Sequence, residues 1–136
     1  MATVSVTTSP LLLLVDDYRD TLEMYAEYLR YRGFRVATAM SGEQAVTVAS
    51  GAERPAIILM DLEMPDMSGS EALRILRADR ALADVPILAL TAHALAEEHA
   101  KAIRDGFDCV IAKPCLPNEL VTVIESYLTR YESATQ

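Results

Sequence analysis

Five polar side chains stand where short apolar runs of the sequence stop. LLLLV is followed by Asp16 and Asp17, AIILM by Asp61, VPILAL by Thr91, and CVIA by Lys113. Together they supply three carboxylates, one hydroxyl and one ammonium group. Carboxylate oxygens are ligands for hard divalent cations such as Mg²⁺, and hydroxyl and ammonium groups stabilise the charge of a phosphoryl group. If these residues meet, they form a site for a divalent cation and a phosphoryl group.

The apolar runs also predict the elements that position these side chains. Short apolar runs without alternation, separated by stretches of helical period, are typical of strands buried on both faces of a parallel sheet. A further strand is predicted at residues 34–39, and Asp17 or Asp20 is expected to cap the first helix. Strands that alternate with helices form a parallel sheet covered on both faces. Such sheets bind ligands beyond the carboxyl ends of their strands, where the five polar residues lie.

Length and composition favour a single folded domain. The chain has 136 residues, of which 51% are apolar and 24% are charged, unlike a disordered chain. A domain of this length buries roughly two thirds of the surface that its unfolded chain exposes. We expect a folded domain over residues 10–131, a flexible N-terminal tail over residues 1–9 and a C-terminal tail over residues 132–136.

Charge and hydropathy argue against several classes of function. The net charge of −8 and the lack of a dense Lys/Arg cluster argue against direct nucleic-acid binding. Apolar stretches such as residues 11–15 are far shorter than the roughly 20 residues of a membrane-spanning helix, and the residues before them do not resemble a signal peptide. No G-x-G-x-x-G motif indicates dinucleotide binding. We therefore expect a cytoplasmic protein without membrane insertion.

The cysteines and histidines do not suggest a zinc or redox site. The interval between Cys109 and Cys115 is too long for a C-x-x-C motif, and His93 and His99 complete no ligand set. We interpret both cysteines as small buried hydrophobic residues. An exposed and reactive Cys115 is the alternative.

The ordered set of motifs resembles the receiver domain of two-component response regulators, the CheY-like family. The matching residues are the Asp16-Asp17 pair, Asp61 within LMDLEMPDMSG, Thr91-Ala92 and Lys113-Pro114. The resemblance covers about residues 10–131. It implies an α/β flavodoxin-like fold, in which a five-stranded parallel sheet of order 2-1-3-4-5 carries five helices on its two faces.

The resemblance implies how a phosphoryl group is bound. Asp61 accepts it from the phosphohistidine of a sensor histidine kinase or of a histidine phosphotransfer protein, which forms an acyl phosphate. Thr91 then donates its hydroxyl to the phosphoryl group, and Lys113 offsets the charge of the phosphoryl oxygens. Ala92 follows Thr91 at the switch, and the Lys113–Pro114 peptide bond is expected to be cis.

The resemblance also implies Mg²⁺ as the cofactor. Asp17, Asp61 and the backbone carbonyl of Glu63 would bind the ion directly, and Asp16 would act mainly through water. Elementary electrostatics agrees, because carboxylates within about 5 Å repel by roughly 3 kcal/mol per pair at an effective dielectric constant of 20. A cation removes this repulsion.

Two features bear on how the signal is tuned and read. Glu63 and His93 stand two residues after Asp61 and Thr91, at positions from which relatives adjust the attack of water on the acyl phosphate. Val110 stands three residues before Lys113, where the family usually has an aromatic side chain that moves with the threonine. Either Val110 simply fills this space, or the output surface changes by backbone movement or changes little.

The resemblance implies a signalling domain rather than an enzyme. We expect a stand-alone receiver that contacts a target protein through its fourth helix, fifth strand and fifth helix, or passes the phosphoryl group on to a phosphotransfer protein. One alternative is an interaction module that is never phosphorylated. A phosphatase with an Asp nucleophile is a remote alternative, because residues 61–63 lack the second Asp of a D-x-D motif and the chain has no room for a cap domain.

Overall fold

Strands and helices alternate along the chain in the computed structural model, which describes residues 9–65, 67–93 and 95–135. The strands are β1 (Leu11–Val15), β2 (Arg35–Ala39), β3 (Ile57–Asp61), β4 (Ile87–Thr91) and β5 (Cys109–Ala112). The helices are α1 (Arg19–Tyr31), α2 (Gly42–Ala49), α3 (Gly69–Ala78), α4 (Ala96–Asp105) and α5 (Pro117–Thr135), and a short 3₁₀ helix, Arg80–Leu82, precedes β4. All neighbouring strands are parallel and their order is β2-β1-β3-β4-β5. The predicted fold class is confirmed.

The sheet is apolar on both faces, which explains why the runs do not alternate. Successive residues of a strand point to opposite faces. One face packs against α2, α3 and α4, and its buried strand residues are Leu13, Val15, Ala39, Ile58, Met60, Ile87 and Ala89. The other face packs against α1 and α5, and its buried strand residues are Leu12, Leu14, Ile57, Leu59, Leu88, Leu90 and Ile111. Every position of β1, β3 and β4 except Leu11 is therefore buried.

Backbone hydrogen bonds hold the ends of the central strands at one edge of the sheet. Asp61 and Thr91 are themselves the last residues of β3 and β4, rather than the residues after them. The ladder continues past them, because the Leu62 N–H donates to the Leu90 carbonyl at 3.0 Å and the Lys113 N–H donates to the Thr91 carbonyl at 2.8 Å. These side chains are therefore positioned by strand geometry and not by free loops.

The start of α3 brings a loop close to this edge. Ser68 caps α3 in a capping box with Glu71, in which each side chain accepts from the backbone N–H of the other residue. Gly69 then lies so close to β3 that an added Cβ would be 2.9 Å from Leu62 Cδ2 and 3.1 Å from the Asp61 carbonyl oxygen. A side chain at this position would push α3 away from the end of β3.

The start of α1 differs from the prediction. The helix begins at Arg19 after Tyr18, and no side chain caps it, so the expected cap at Asp17 or Asp20 is wrong. Asp16, rather than Asp17 or Asp20, bonds the backbone just before the helix, because its Oδ1 accepts the Tyr18 N–H at 2.9 Å. The carboxylate of Asp17 therefore makes no cap to this helix.

The chain ends differ in part from the expected tails. Residues 1–8 of the expected N-terminal tail lie outside the described residues, and the Ser9 carbonyl accepts a hydrogen bond from Arg35 Nε at 3.0 Å. Helix α5 continues to Thr135, through most of the segment 132–136 that we assigned to a C-terminal tail. None of the helices in the described ranges has the length and apolar character to cross a membrane.

Arg77 joins α3 to the two strands beyond β3. Its guanidinium donates to the Val85 carbonyl at 2.7 Å, to the Gly106 carbonyl at 3.2 Å and to Asp108 Oδ2 at 2.7 Å. Asp108 Oδ2 also accepts from the Ile87 N–H at 2.8 Å. One arginine thus satisfies acceptors at the starts of both β4 and β5.

We expect Arg77→Ala to lower the free energy of unfolding by about 2 kcal/mol, because it leaves the carbonyls of Ala83, Val85 and Gly106 and the Asp108 carboxylate without a charged donor. Urea denaturation at neutral pH measures the change. Arg74→Ala, which removes an exposed arginine from the same helix, should cost less than about 0.5 kcal/mol. Equal losses in the two variants would contradict the bridging role.

Candidate functional site

The first two carboxylates follow β1 directly. Asp16 is only 2% exposed, and its Oδ1 is taken by the Tyr18 N–H. Its Oδ2 accepts from Lys113 Nζ at 3.1 Å. Asp17 is partly buried beside it. A strand end therefore fixes one buried and one more accessible carboxylate at the same edge.

Asp61 ends β3 and is 4% exposed. Its Oδ1 accepts the Glu63 N–H at 3.0 Å, and its Oδ2 lies 3.6 Å from Lys113 Nζ. The pKa of Asp61 is raised to about 6, mainly by burial and to a lesser extent by the charges of Asp16 and Glu63, which together outweigh the lowering effect of the Glu63 N–H and of Lys113. Ionisation of Asp61 is therefore less favourable than that of an exposed carboxyl, and added positive charge would favour it.

The three carboxylates are close enough to share one ion. One ligand oxygen from each of Asp16, Asp17 and Asp61 lies within 4.8 Å of the others. Lys113 offsets one of these charges, so the cluster keeps a negative charge when all three are ionised. Carboxylate oxygens with an excess of negative charge are the ligands that a hard divalent cation such as Mg²⁺ prefers, and two of the three carboxylates, those of Asp16 and Asp61, are buried.

Lys113 follows β5 and reaches across two strands to the carboxylates. Burial lowers the pKa of Lys113, but the hydrogen bond from Nζ to Asp16 and the charge of Asp61 outweigh this effect, so that its pKa lies above the usual value. Lys113 therefore carries its charge at neutral pH. The Lys113–Pro114 peptide bond is cis, as expected, and Pro114 is exposed.

Thr91 ends β4 and is 1% exposed, and its hydroxyl is engaged on both sides. It donates to Glu63 Oε2 at 2.6 Å and accepts from the His93 N–H at 3.0 Å. The other carboxylate oxygen of Glu63, Oε1, accepts from the Ala92 N–H at 3.1 Å. Glu63 thus links the loop after β3 to the loop after β4.

His93 lies over this link and faces two carboxylates. Its Nε2 is 4.0 Å from Glu63 Oε2, and its Nδ1 is 3.3 Å from Glu98 Oε2 on α4. His99 Nε2 lies 2.8 Å from the His93 carbonyl oxygen, to which it donates. A cavity of about 280 Å³ beside Glu63, Thr91 and His93 continues between α3 and α4.

The remaining residues singled out in the sequence lie outside the carboxylate cluster. Val110 is partly buried in β5, opposite Ala89 of β4, and packs against the core on the α2–α4 face. Cys109 and Cys115 are both unpaired and only partly buried, against the core on the α1 and α5 face. They are thus packed residues, although less buried than expected.

The structure brings most of the predicted site residues together. Asp16, Asp17, Asp61 and Lys113 form one cluster, whereas Thr91 is connected to it through Glu63. The sequence did not indicate that the Glu63 carboxylate bonds Thr91 and Ala92, since glutamates are common in loops.

Tyr25 of α1 was not recognised from the sequence either. Its hydroxyl donates to the Cys115 carbonyl at 2.6 Å, which anchors the loop after Lys113 to α1. In the sequence it looked like any other core position of an amphipathic helix. The role of its hydroxyl depends on the fold, which brings the carbonyl of residue 115 within hydrogen-bond distance.

Known proteins share both the sequence and the fold. The family model of the response regulator receiver domain matches residues 12–125. A curated relative, the transcriptional regulatory protein PrrA of Mycobacterium tuberculosis, is 36% identical over 124 residues, which cover 90% of this chain and 52% of the relative. The chain therefore spans about half the length of the curated relatives that it matches.

Two solved structures illustrate the structural similarity. The chemotaxis protein CheY4 of Vibrio cholerae has a TM-score of 0.82 at 28% identity, with 88% of this chain and 98% of CheY4 covered. The receiver domain of the sensor histidine kinase PA1611 from Pseudomonas aeruginosa has a TM-score of 0.81 at 33% identity, with 89% and 98% covered. That structure has a magnesium ion coordinated in its active site cleft.

The raised pKa of Asp61 predicts a pH-dependent stability in the absence of divalent cations. Because the pKa of Asp61 is higher in the folded than in the unfolded state, the folded protein loses stability as the pH rises from about 4 to about 6. Asp61→Asn removes this loss, so at pH 7 the variant should be more stable than the wild type by about 2 to 3 kcal/mol. The difference should disappear below pH 4.

Urea denaturation in EDTA at several pH values measures this difference. Asp84→Asn is a matched control, because Asp84 is exposed and lies outside the carboxylate cluster. A stability gain of the Asp61 variant that is the same at every pH would show that burial does not hinder the ionisation of Asp61.

Proposed function

Since the chain belongs to the response regulator receiver domain family, we propose that Asp61 is its phosphoacceptor and that the phosphorylated form transmits the signal. The observation that carries this proposal is the placement of Asp61 between an acidic pair and a lysine at one edge of the sheet. The family is one of signalling domains rather than of enzymes. Self-catalysed phosphotransfer and dephosphorylation are part of the proposal.

The proposed reaction needs little beyond positioning and charge. An oxygen of Asp61 attacks phosphorus, and the P–N bond to the donor imidazole breaks as the new P–O bond forms. Lys113 Nζ, 3.6 Å from Asp61 Oδ2, is placed to offset charge on the phosphoryl oxygens. The hydroxyl of Thr91 is the proposed hydrogen-bond donor to the product.

We assign Mg²⁺ to the carboxylate cluster. Asp17, Asp61 and the Glu63 backbone carbonyl would hold the ion, and Asp16, whose Oδ2 is engaged by Lys113, would act through water. When bound, Mg²⁺ neutralises the carboxylates and accepts a phosphoryl oxygen as a further ligand. The magnesium ion in the related PA1611 receiver domain supports this assignment.

A histidine kinase or a histidine phosphotransfer protein is the proposed donor. Two exposed apolar side chains flank the site and suit a partner surface, since Tyr18 is 61% and Leu116 is 60% exposed. Tyr18 follows the acidic pair, and Leu116 lies in the loop that Tyr25 anchors. Such exposed aromatic and aliphatic residues beside a polar site are typical contact points of protein interfaces.

The proposal also covers how the phosphorylated domain passes the signal on. The face of α4, β5 and α5 is the proposed surface for a target protein, and transfer of the phosphoryl group to a phosphotransfer protein is the other route. PrrA is a transcriptional regulator about twice as long as the matched region. The net charge of −8 supports action without direct nucleic-acid contact, and the unpaired cysteines fit the cytoplasm.

We expect one phosphoryl group per chain after incubation with Mg²⁺ and a small phosphodonor such as acetyl phosphate. Intact mass spectrometry should show the adduct in the wild type and in Asp84→Asn but not in Asp61→Asn, because only the last variant lacks the attacking carboxylate. Absence of any adduct would favour an interaction module that is not phosphorylated. Steady hydrolysis of many different phosphodonors would favour a phosphatase.

Magnesium should stabilise the fold without any phosphodonor. At about a hundred times Kd, a ligand that binds only the folded state adds about 2.7 kcal/mol to the free energy of unfolding. Asp17→Asn should lose most of this gain, whereas Asp20→Asn, which removes an exposed carboxylate from α1, should keep it. Thermal denaturation with and without Mg²⁺ measures the gain, and equal gains in both variants would contradict the assigned ligands.

A further inference from the structure

The Glu63 carboxylate occupies two hydrogen-bond donors that lie beside the proposed phosphoacceptor. Its Oε2 accepts from the Thr91 hydroxyl at 2.6 Å and its Oε1 accepts from the Ala92 N–H at 3.1 Å. The backbone N–H of Glu63 donates to Asp61 Oδ1 at 3.0 Å. The last residue of β3 thus carries the acceptor carboxylate, and two residues later the following loop carries an anion that fills two neighbouring donors.

The donors that hold Glu63 are suited to a phosphoryl group. A carboxylate and a phosphoryl group are both anions with several acceptor oxygens, and the phosphoryl group carries nearly two negative charges. Thr91 is 1% exposed, so its hydroxyl has few alternative partners in solvent. Two acceptors cannot use the same hydroxyl hydrogen, because Thr91 has only one to donate.

We propose that the Glu63 carboxylate is an internal substitute for the phosphoryl group, which binds the Thr91 hydroxyl and the Ala92 N–H in the resting protein and is displaced when Asp61 is phosphorylated. The inference rests on the proposed function of Asp61. It identifies the side chain that must move on activation, and it assigns Glu63 a role in the unphosphorylated state. The exchange forms and breaks only hydrogen bonds at these donors.

The structure offers a place for the displaced carboxylate. The cavity of about 280 Å³ next to Glu63 is also lined by His93 and by Lys101 of α4. His93 Nε2 is already 4.0 Å from Glu63 Oε2, and Lys101, which pairs with Asp105 at 2.7 Å, lines the same cavity. A carboxylate that leaves Thr91 can therefore turn toward nitrogen donors without entering the core.

This exchange also bears on Val110. A valine has no polar tip and no long side chain that could follow Thr91 between two positions. The Glu63 carboxylate, in contrast, joins the loop after β3 to the loop after β4, and its release separates them. The change at Thr91 would thus pass to the start of α4 through Glu63 and His93 rather than through β5.

The resting contact can be tested without metal or phosphodonor. In ¹H–¹⁵N NMR spectra, Glu63→Ala and Glu63→Asp should shift the Ala92 amide resonance and raise its hydrogen-exchange rate by about tenfold, since a charge-assisted hydrogen bond is lost or weakened. Glu98→Gln removes the same charge from the same cavity and should leave Ala92 unchanged. An Ala92 amide that is the same in wild type and Glu63→Ala would overturn the proposal.

Competition is tested with beryllium fluoride and Mg²⁺ as a phosphoryl substitute on Asp61. If the Glu63 carboxylate fills the donors most of the time, Glu63→Ala should bind beryllium fluoride with an apparent Kd about tenfold lower than that of the wild type. Glu63→Asp keeps the charge but is one methylene shorter, and it should also bind more tightly than the wild type. Glu98→Gln should stay within about twofold, since charge alone is changed.

The outcomes separate the two proposals. A Kd in Glu63→Asp equal to that of the wild type, together with tighter binding in Glu98→Gln, would show a general charge effect and overturn the exchange. Weaker binding in Glu63→Ala would overturn it as well. If neither the wild type nor any variant binds beryllium fluoride, the proposed function of Asp61 fails, and the exchange fails with it.

Discussion

Asp16, Asp17 and Asp61 repel one another, and the fold holds them together nevertheless. Their ligand oxygens lie within 4.8 Å, a separation at which each pair costs a few kcal/mol even at an effective dielectric constant of 20. The hydrogen-bond ladder of β1 and β3 supplies the restraint, because both strands are buried on their two faces. Lys113 reduces the repulsion in the resting state, and the remaining negative charge creates the affinity for a cation.

The same edge of the sheet has a second half with the opposite character. The carboxylates of β1 and β3 attract cations, whereas the hydroxyl and N–H groups after β4 attract anions, and Glu63 fills the latter. The order β1-β3-β4 places the two halves side by side. A phosphoryl group on Asp61 would be anionic and would also bind a cation, so it could satisfy both halves at once, which a metal ion alone cannot.

The sequence was sufficient for the strands and for the cluster, because both follow from local patterns. The run LLLLV before Asp16 is apolar throughout, and this lack of alternation predicts a strand buried on both faces. It was not sufficient for contacts that depend on how separate elements approach. Arg77 reaches Val85 and Gly106 only after α3 docks on the sheet, and Glu63 finds Thr91 only because β3 and β4 are neighbours.

The parallel register of β3 and β4 determines where this chain can change in length. Asp61 is paired with Leu90, so that Thr91 extends one residue beyond it, and a single insertion within either strand would turn every following side chain to the opposite face. Insertions in the loops before the strands leave this register unchanged, although those before β4 and β5 must keep the contacts of Arg77 with Val85, Gly106 and Asp108. Natural variation in loop length should therefore accumulate at the edge of the sheet opposite to Asp61, while the strands and the connections after them keep a fixed count of residues.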